Sequence, residues 1–371
     1  MKNIGIVSYN INCNFTNYGS ALQSWALSTS IARLGYRPVL IDYCPDVLRE
    51  ADPLNPFKKM WDKDAESRRM CELTMPAIRE NYAKFEDFYT NRFNRTPKKY
   101  TSADFNDVVA DEALDGFVCG SDTIFCVDEF HGLEDGYYAN YPVMKGRSVA
   151  YAASFGDSHF TDETYTLLHQ RLKNFKAIGL RENLWVPYCR EHSGNVPVEK
   201  VIDPTLLLAK SDYDTIATPQ HNRVQYVLMY SRRYNPEMER YAIDLARANG
   251  LQVVEISLRA TNAELGHDMR YDAGVEEFLS LVAGAQTVVT NSFHGLIFAA
   301  QYSRPLVVFS REQADSKIGE VLELMGMRDC LFANADEAAV RDVDYTAVHA
   351  RLTEARKSAL AFLSSELEML A

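Results

Sequence analysis

The sequence predicts an α/β protein made of two parallel-sheet domains in tandem, with a cleft between them. Short apolar segments of strand length alternate with longer segments of helical periodicity, which is the order that parallel sheets require. A polar stretch with one proline, 210–223, interrupts the alternation, which then resumes. A length of 371 residues also suits two domains better than one.

The first domain, predicted at 1–215, opens with a β-α-β unit. The strand Asn3–Tyr9 is followed by an asparagine-rich loop and by the helix Ala21–Leu34, which Gly35 ends. The next strand is predicted at Pro38–Tyr43. Further along, the predicted elements are the strands Phe117–Cys119, Ser148–Ala153 and Ala177–Leu180 and the helix Thr161–Phe175.

A segment near 45–100 departs from this pattern because it is charged and aromatic. Its apolar residues recur at helical spacing across Met75–Tyr89, so we predict a helical insertion into the first domain. The stretch 210–223 is the predicted linker to the second domain.

The second domain, predicted at 216–345, repeats the alternation. Its predicted strands are Tyr226–Tyr230, Gln252–Ser257, Gln286–Thr290 and Pro305–Phe309, and its predicted helices are Pro236–Asn249, Val275–Ala283 and Leu296–Tyr302. The tail, 346–371, is amphipathic and predicts a C-terminal helix.

Composition excludes several classes of protein. A net charge of −12 disfavours a general nucleic-acid binder, so an anionic ligand would need a local cluster of cations. No run approaches the ~18–20 apolar residues that a membrane span needs, and the N-terminus does not resemble a signal peptide. Seven scattered cysteines without a C-x-x-C pair indicate reduced thiols in a cytoplasmic protein and no metal site.

The strongest candidate site is the segment 290–295, which lies between a predicted strand and a predicted helix. Asn291 or Ser292 can cap the helix, whose free N–H groups would bind an anion. The helix N-terminus favours a neutral His294, and a bound dianion would help to charge it, which suits a general acid. The alternative is a histidine hydrogen-bonded in a tight turn.

Three cations follow other predicted strands. Arg181 can grip a phosphate or carboxylate with two hydrogen bonds, or it can simply pair with Glu182 or another acid. Lys317 can reach an anion in the cleft or remain solvated. Arg232 has the same two interpretations.

Short polar side chains complete the strand-end loops. Asp122 can act as a base or orienter, and so can Asp203, although Asp203-Pro204-Thr205 is equally a turn. Ser121 can bind substrate or cap a helix, and Ser154 ends another strand. Because Asn17 and Gly19 open the first helix, that loop is a second anion or sugar site. No G-x-G-x-x-G follows the first strand, which disfavours a dinucleotide.

Six motifs in order resemble those of the polysaccharide pyruvyl transferase family, over about residues 3–325. They are Asn17-Tyr18-Gly19-Ser20-Ala21-Leu22-Gln23, Cys119-Gly120-Ser121-Asp122, Tyr151-Ala152-Ala153-Ser154-Phe155-Gly156, Arg181-Glu182, Asp203-Pro204-Thr205 and Thr290-Asn291-Ser292-Phe293-His294-Gly295. The resemblance implies a GT-B-like fold, with two Rossmann-like domains facing a central cleft.

The resemblance also implies an activity, the transfer of pyruvate from phosphoenolpyruvate to two sugar hydroxyls as a cyclic ketal. The resemblance further implies that an arginine at the position of Arg181, a histidine at the position of His294 and a lysine near Lys317 act on the donor substrate. No metal or organic cofactor is expected. The acceptor would belong to an exopolysaccharide or capsule, or to a lipid-linked precursor at the inner membrane face, with peripheral membrane contact.

Two other functions stay open at this point. One is a GT-B glycosyltransferase that uses a nucleotide sugar, because a fold does not determine a function. The other is a saccharide-binding module without activity.

Overall fold

The computed structural model describes residues 1–55, 63–219, 224–311 and 315–370, without the side chains of Asp315 and Ser316. Parts of the predicted insertion and of the predicted linker, 56–62 and 220–223, lie outside the described residues. Two six-stranded sheets, both parallel, dominate the fold and confirm the predicted α/β class.

The first sheet and a small two-stranded sheet take up the N-terminal strands. These are β1 (Asn3–Val7), β2 (Arg37–Leu40), β3 (Tyr43–Cys44), β4 (Tyr100–Thr101), β5 (Gly116–Cys119), β6 (Ser148–Ala153), β7 (Ala177–Leu180) and β8 (Val198–Lys200). The large sheet has the order β2-β1-β5-β6-β7-β8, and β3 pairs with β4. The predicted strand Pro38–Tyr43 is therefore divided between the two sheets. The central strands of the six-stranded sheet, β5, β6 and β7, are buried along their whole length because helices cover the sheet.

Seven helices accompany these strands in the described part of the chain. They are α1 (Tyr18–Arg33), α2 (Ala65–Arg92), α3 (Val108–Asp111), α4 (Val127–Phe130), α5 (Asp162–Arg171), α6 (Val186–His192) and α7 (Lys210–Tyr213). Helix α1 begins three residues before its predicted start because Asn17 caps it. Helix α2 lies within the segment predicted as a helical insertion, extends well beyond Met75–Tyr89 and continues through Pro76.

The second sheet has the same construction. Its strands are β9 (Tyr226–Tyr230), β10 (Gln252–Ile256), β11 (Asp268–Met269), β12 (Thr287–Thr290), β13 (Leu306–Phe309) and β14 (Leu331–Phe332), in the order β11-β10-β9-β12-β13-β14. The remaining helices are α8 (Pro236–Asn249), α9 (Val275–Gly284), α10 (Phe293–Gln301), α11 (Asp315–Met325) and α12 (Tyr345–Leu370). Helix α10 starts three residues earlier than predicted, so His294 lies inside its first turn.

Helices α2 and α12 connect the two sheet domains. From α2, Asn81 Nδ2 donates to the carbonyl of Ala273 at 2.5 Å, and Lys84 Nζ lies 2.7 Å from Glu277 Oε2. Helix α12 crosses back to the first domain, where Phe362 packs against Tyr151 with 6.4 Å between the ring centroids. The domains are therefore held with the carboxyl ends of their strands facing a shared cleft. Across the described ranges, no helix has the length and apolarity needed to span a bilayer.

Candidate active site

Arg181 directly follows β7 and lies at the cleft with only 5% of its surface exposed. Its Nη1 donates to Asp203 Oδ2 at 3.0 Å, and its Nε donates to Glu182 Oε1 at 3.2 Å. The guanidinium also lies 4.9 Å from the ring centroid of Phe293, on the opposite domain. Arg181 is thus ion-paired, as one interpretation of the sequence expected, and it also faces the cleft.

Asp203 is buried and joins Arg181 to the second domain. Its Oδ1 accepts hydrogen bonds from the backbone N–H and the hydroxyl of Thr205, at 2.9 and 2.6 Å. Its Oδ2 lies 3.5 Å from His294 Nε2. Burial alone would raise the pKa of Asp203, but the adjacent His294 and Arg181 outweigh burial and hold that pKa well below its usual range. The carboxylate is therefore ionised in the folded protein.

His294 is positioned by the capped N-terminus of α10. Ser292 is the N-cap, and its hydroxyl accepts a hydrogen bond from the N–H of Gly295 at 3.2 Å. The other edge of the imidazole lies against α1, where a Cβ added to Gly19 would sit 1.9 Å from His294 Nδ1. Glycine at position 19 therefore lets the two domains approach closely at the histidine.

Lys317, near the start of α11, lines the same cleft as Arg181. Together with Asp203 and Phe293 they border a cavity of about 430 Å³. Burial, and then the nearby Arg181, lower the pKa of Lys317 despite the opposing charge of Glu182. Two cations at one cavity with one lowered pKa favour the binding of an anion between them.

Asp122 lies on the same side of the cleft as Arg181. The loop after β5 runs beside β6, where Asp122 forms a bridge with Ala153. The hydroxyl of Ser20 donates to Asp122 Oδ2, and Asp122 interacts electrostatically with both Arg181 and Lys317. The structure thus brings Asp122 to the cationic site.

A second group of arginines borders the cleft at the ends of β9 and β13. The Asn291 side chain accepts from the N–H of Arg232 at 3.0 Å and donates to the carbonyl of Arg233 at 2.7 Å. Burial and repulsion by these two arginines lower the pKa of Arg311 to about 10. Asn291 therefore holds the loop that brings like charges together.

Four predicted substrate-binding side chains form hydrogen bonds to the backbone. Asn17 caps α1 through the N–H of Gly19, and Ser292 caps α10. The hydroxyl of Ser121 donates to the carbonyl of Ala152, and that of Ser154 accepts from the N–H of Gly156. Ser121 and Ser154 are fully buried, so the structure does not bring their hydroxyls to the open cleft.

The structure adds site residues that the sequence analysis did not select. Glu182 holds Arg181, Glu320 accepts from the N–H of Asn183 at 3.0 Å, and Arg311 joins the second cation group. Glu182 had a signal, since it adjoins Arg181 at a strand end, but Glu320 had none. In the ranges that the structure describes, no three His, Cys, Asp or Glu side chains form a group suited to a metal ion.

Two parallel-sheet domains that face each other with cations at their strand ends define a GT-B-like fold. Comparison with solved structures agrees. MnaA from S. aureus in complex with UDP is 12% identical with a TM-score of 0.55, covering 100% of this chain and 98% of that one. A putative UDP-N-acetylglucosamine 2-epimerase from Listeria monocytogenes is 12% identical with a TM-score of 0.50, covering 96% of each chain.

The sequence itself identifies the family. The family model described as "Polysaccharide pyruvyl transferase" matches residues 17–313, so the chain belongs to that family. The family indicates a transferase. A comparison with curated proteins finds no match.

Proposed function

We propose that the protein transfers pyruvate from phosphoenolpyruvate to two hydroxyls of one sugar and closes a cyclic ketal. The observation that carries this proposal is that Arg181 and Lys317 border one cavity and that His294 lies 3.5 Å from Asp203 in its wall. Phosphoenolpyruvate has a phosphate and a carboxylate, and a chain of net charge −12 needs local cations to hold both.

The proposed binding mode uses the parts of these cations that remain available. Arg181 uses Nε and Nη1 for its two carboxylates, which leaves Nη2 for one donor anion. Lys317 would hold the other anion across the cavity. The arginines near Asn291 would add positive potential and hold leaving phosphate. No metal or organic cofactor is part of the proposal.

The proposed reaction forms two carbon–oxygen bonds at the central carbon of the donor, first by an addition and then by a substitution that releases phosphate. His294 donates a proton to the methylene carbon, which becomes a methyl group and leaves the central carbon oxocarbenium-like. One sugar hydroxyl bonds to that carbon and gives up its proton. The second hydroxyl then bonds as the carbon–oxygen bond to phosphate breaks, and its proton leaves with phosphate or solvent. A general acid placed this way contributes typically ~10²–10⁴-fold, and Asp122 is a candidate proton acceptor.

The acceptor that we propose is a sugar of a polysaccharide or a lipid-linked oligosaccharide precursor. A lipid-linked acceptor would bring the protein from the cytoplasm to the inner membrane face. The alternative donor is a nucleotide sugar, since the MnaA structure contains UDP.

A thermal-unfolding screen with phosphoenolpyruvate, UDP and GDP separates the donors. We expect stabilisation by phosphoenolpyruvate that Arg181→Lys weakens and that the exposed control Arg33→Lys keeps. Acceptor-dependent phosphate release over a panel of galactosides and mannosides should then fall about 100-fold or more in His294→Gln. Stabilisation by UDP or GDP alone, with no phosphate release, would instead favour the alternative function, a glycosyltransferase that uses a nucleotide sugar.

A further inference from the structure

We propose that Asp203 is the positioning residue of this site and that it holds the neutral imidazole of His294 in the form that carries its proton on Nε2. The proposal rests on the proposed function only for its kinetic part. Asp203 belongs to the first domain and His294 to the second, so the contact exists only where the domains meet.

One oxygen of Asp203 serves both partners. Oδ2 lies 3.0 Å from Arg181 Nη1 and 3.5 Å from His294 Nε2. A carboxylate accepts hydrogen bonds and donates none, so the neutral imidazole beside it carries its proton on Nε2. The lone pair then lies on Nδ1.

The surroundings of the ring hold it on both sides. His294 Nε2 is enclosed by protein, and no residue in the described ranges forms a hydrogen bond to it with good geometry. A bound molecule therefore cannot reach Nε2. The opposite edge, at Nδ1, packs against Gly19, where an added Cβ would lie 1.9 Å from that nitrogen.

The carboxylate is itself held rigidly. Its Oδ1 accepts both bonds from Thr205, as described above. The carbonyl of Thr205 in turn accepts from the hydroxyl of Tyr213 at 2.8 Å and from Gln301 Nε2 at 2.7 Å. Because Gln301 lies on α10, the helix that carries His294, this network connects Asp203 and the histidine by a second route.

In this arrangement, the guanidinium of Arg181 and the imidazole of His294 both contact the carboxylate of Asp203. Their separation is then determined by Asp203 and does not depend on two independent loops. A donor bound to Arg181 would consequently meet the imidazole in a reproducible geometry, which is the purpose of a rigid surrounding shell.

The test compares two neighbouring carboxylates. Asp203→Asn replaces the carboxylate beside Nε2 with an amide that can donate, whereas Glu182→Gln changes the other partner of Arg181 and leaves His294 alone. Two-bond ¹H–¹⁵N spectra of histidine rings report which nitrogen carries the proton, and His294→Gln identifies the signal among the eight histidines. Thermal unfolding of each variant checks that it folds.

We expect the wild-type ring in the Nε2–H form, a change toward Nδ1–H in Asp203→Asn, and no change in Glu182→Gln. With phosphoenolpyruvate and an acceptor, kcat should fall about 10²–10⁴-fold in Asp203→Asn, as when an orienting carboxylate is lost. Glu182→Gln should mainly raise the KM for the donor.

A wild-type ring protonated on Nδ1, or an Asp203→Asn protein with an unchanged tautomer or unchanged kcat, would overturn the proposal. The milder Thr205→Val, which removes one bond to Oδ1, covers the case in which Asp203→Asn fails to fold and should lower kcat in the same direction. The spectra need no substrate, so an absence of pyruvyl transfer with the expected tautomer would contradict the proposed function and not the positioning role.

Discussion

At the interface between the two domains, Gly19 leaves room for His294 because glycine has no Cβ atom. The Nδ1 edge of the imidazole occupies the place where any other residue would carry its Cβ. The sequence shows the glycine and the histidine but not their contact, because 274 residues separate them along the chain. The same is true of Asp203, which the sequence left open as a base, an orienter or a turn residue.

Gly19→Ala should displace His294 without disturbing Arg181. The added methyl would lie 1.9 Å from Nδ1, so the ring or the domain must move. We expect kcat to fall about 100-fold, since general acid catalysis depends on position, while phosphoenolpyruvate still stabilises the protein in thermal unfolding. Gly250→Ala, in an exposed left-handed turn after α8, is the control that should cost stability but not activity. Equal loss of activity in both variants would show that the contact is unimportant.

Asp203 gives the protein a specific response to acid. Its pKa is lowered by folding, so its stabilising contribution is present above the ordinary aspartate pKa of ~3.9 and is lost as the pH falls toward the lower folded value. The free energy of unfolding in urea should therefore differ most between wild type and Asp203→Asn at pH 5–7, with the difference shrinking below about pH 4. A difference that grows on acidification would contradict the ionised state of Asp203.

Among the elements, α10 was the one whose start mattered most for the site. The apolar pattern predicted a start at Leu296, although Asn291 and Ser292 were also identified from the sequence as possible caps. The Ser292 cap moves the start to Phe293. Strands and helices bounded by clear signals, such as β6, β7, β9 and α8, have their predicted ends.

Ser292→Ala should loosen the first turn of α10. The variant loses the acceptor for the N–H of Gly295, which costs about 1 kcal/mol of unfolding free energy. Thr161→Ala removes the equivalent cap of α5, away from the cleft, and is expected to cost a similar amount. Urea unfolding measures both, and only Ser292→Ala should also lower kcat. If the two variants keep the same kcat, the capped turn does not position His294.

Helix α2 shows where local patterns fail for an element. Its apolar spacing is clear only in the middle, and Pro76 normally ends or bends a helix. Its full extent depends on packing against the second domain, through contacts such as Asn81 to Ala273. No local pattern contains that information.

For the whole molecule, the relation between the domains determines whether a site exists. Arg181 and Asp203 come from one sheet domain and His294 and Lys317 from the other. Glu320 on α11 closes one side of this arrangement, since it accepts from the N–H of Asn183 and lies 3.0 Å from Lys200 Nζ. The predicted fold class implied a cleft, but it could not specify this closing contact.

Glu320→Ala should therefore loosen the closed arrangement. Hydrogen exchange at 183–185 should increase, and the KM for phosphoenolpyruvate should rise about threefold to tenfold, because an exposed ion pair with added backbone hydrogen bonds contributes about 1 kcal/mol. The control is Glu323→Ala, which changes another carboxylate bordering the same cavity. Equal exchange in the two variants would exclude Glu320 as a closing contact.

The path of α12 has a consequence for how the chain is made. Its aromatic Phe362 covers Tyr151 of the first sheet, yet every strand of both sheets is translated before it. A nascent chain that has emerged only as far as β14 would therefore leave an apolar patch of its first domain uncovered at the ribosome. The first domain is therefore completed only after α12 has been synthesised, and until then it exposes apolar surface of the kind that chaperones bind.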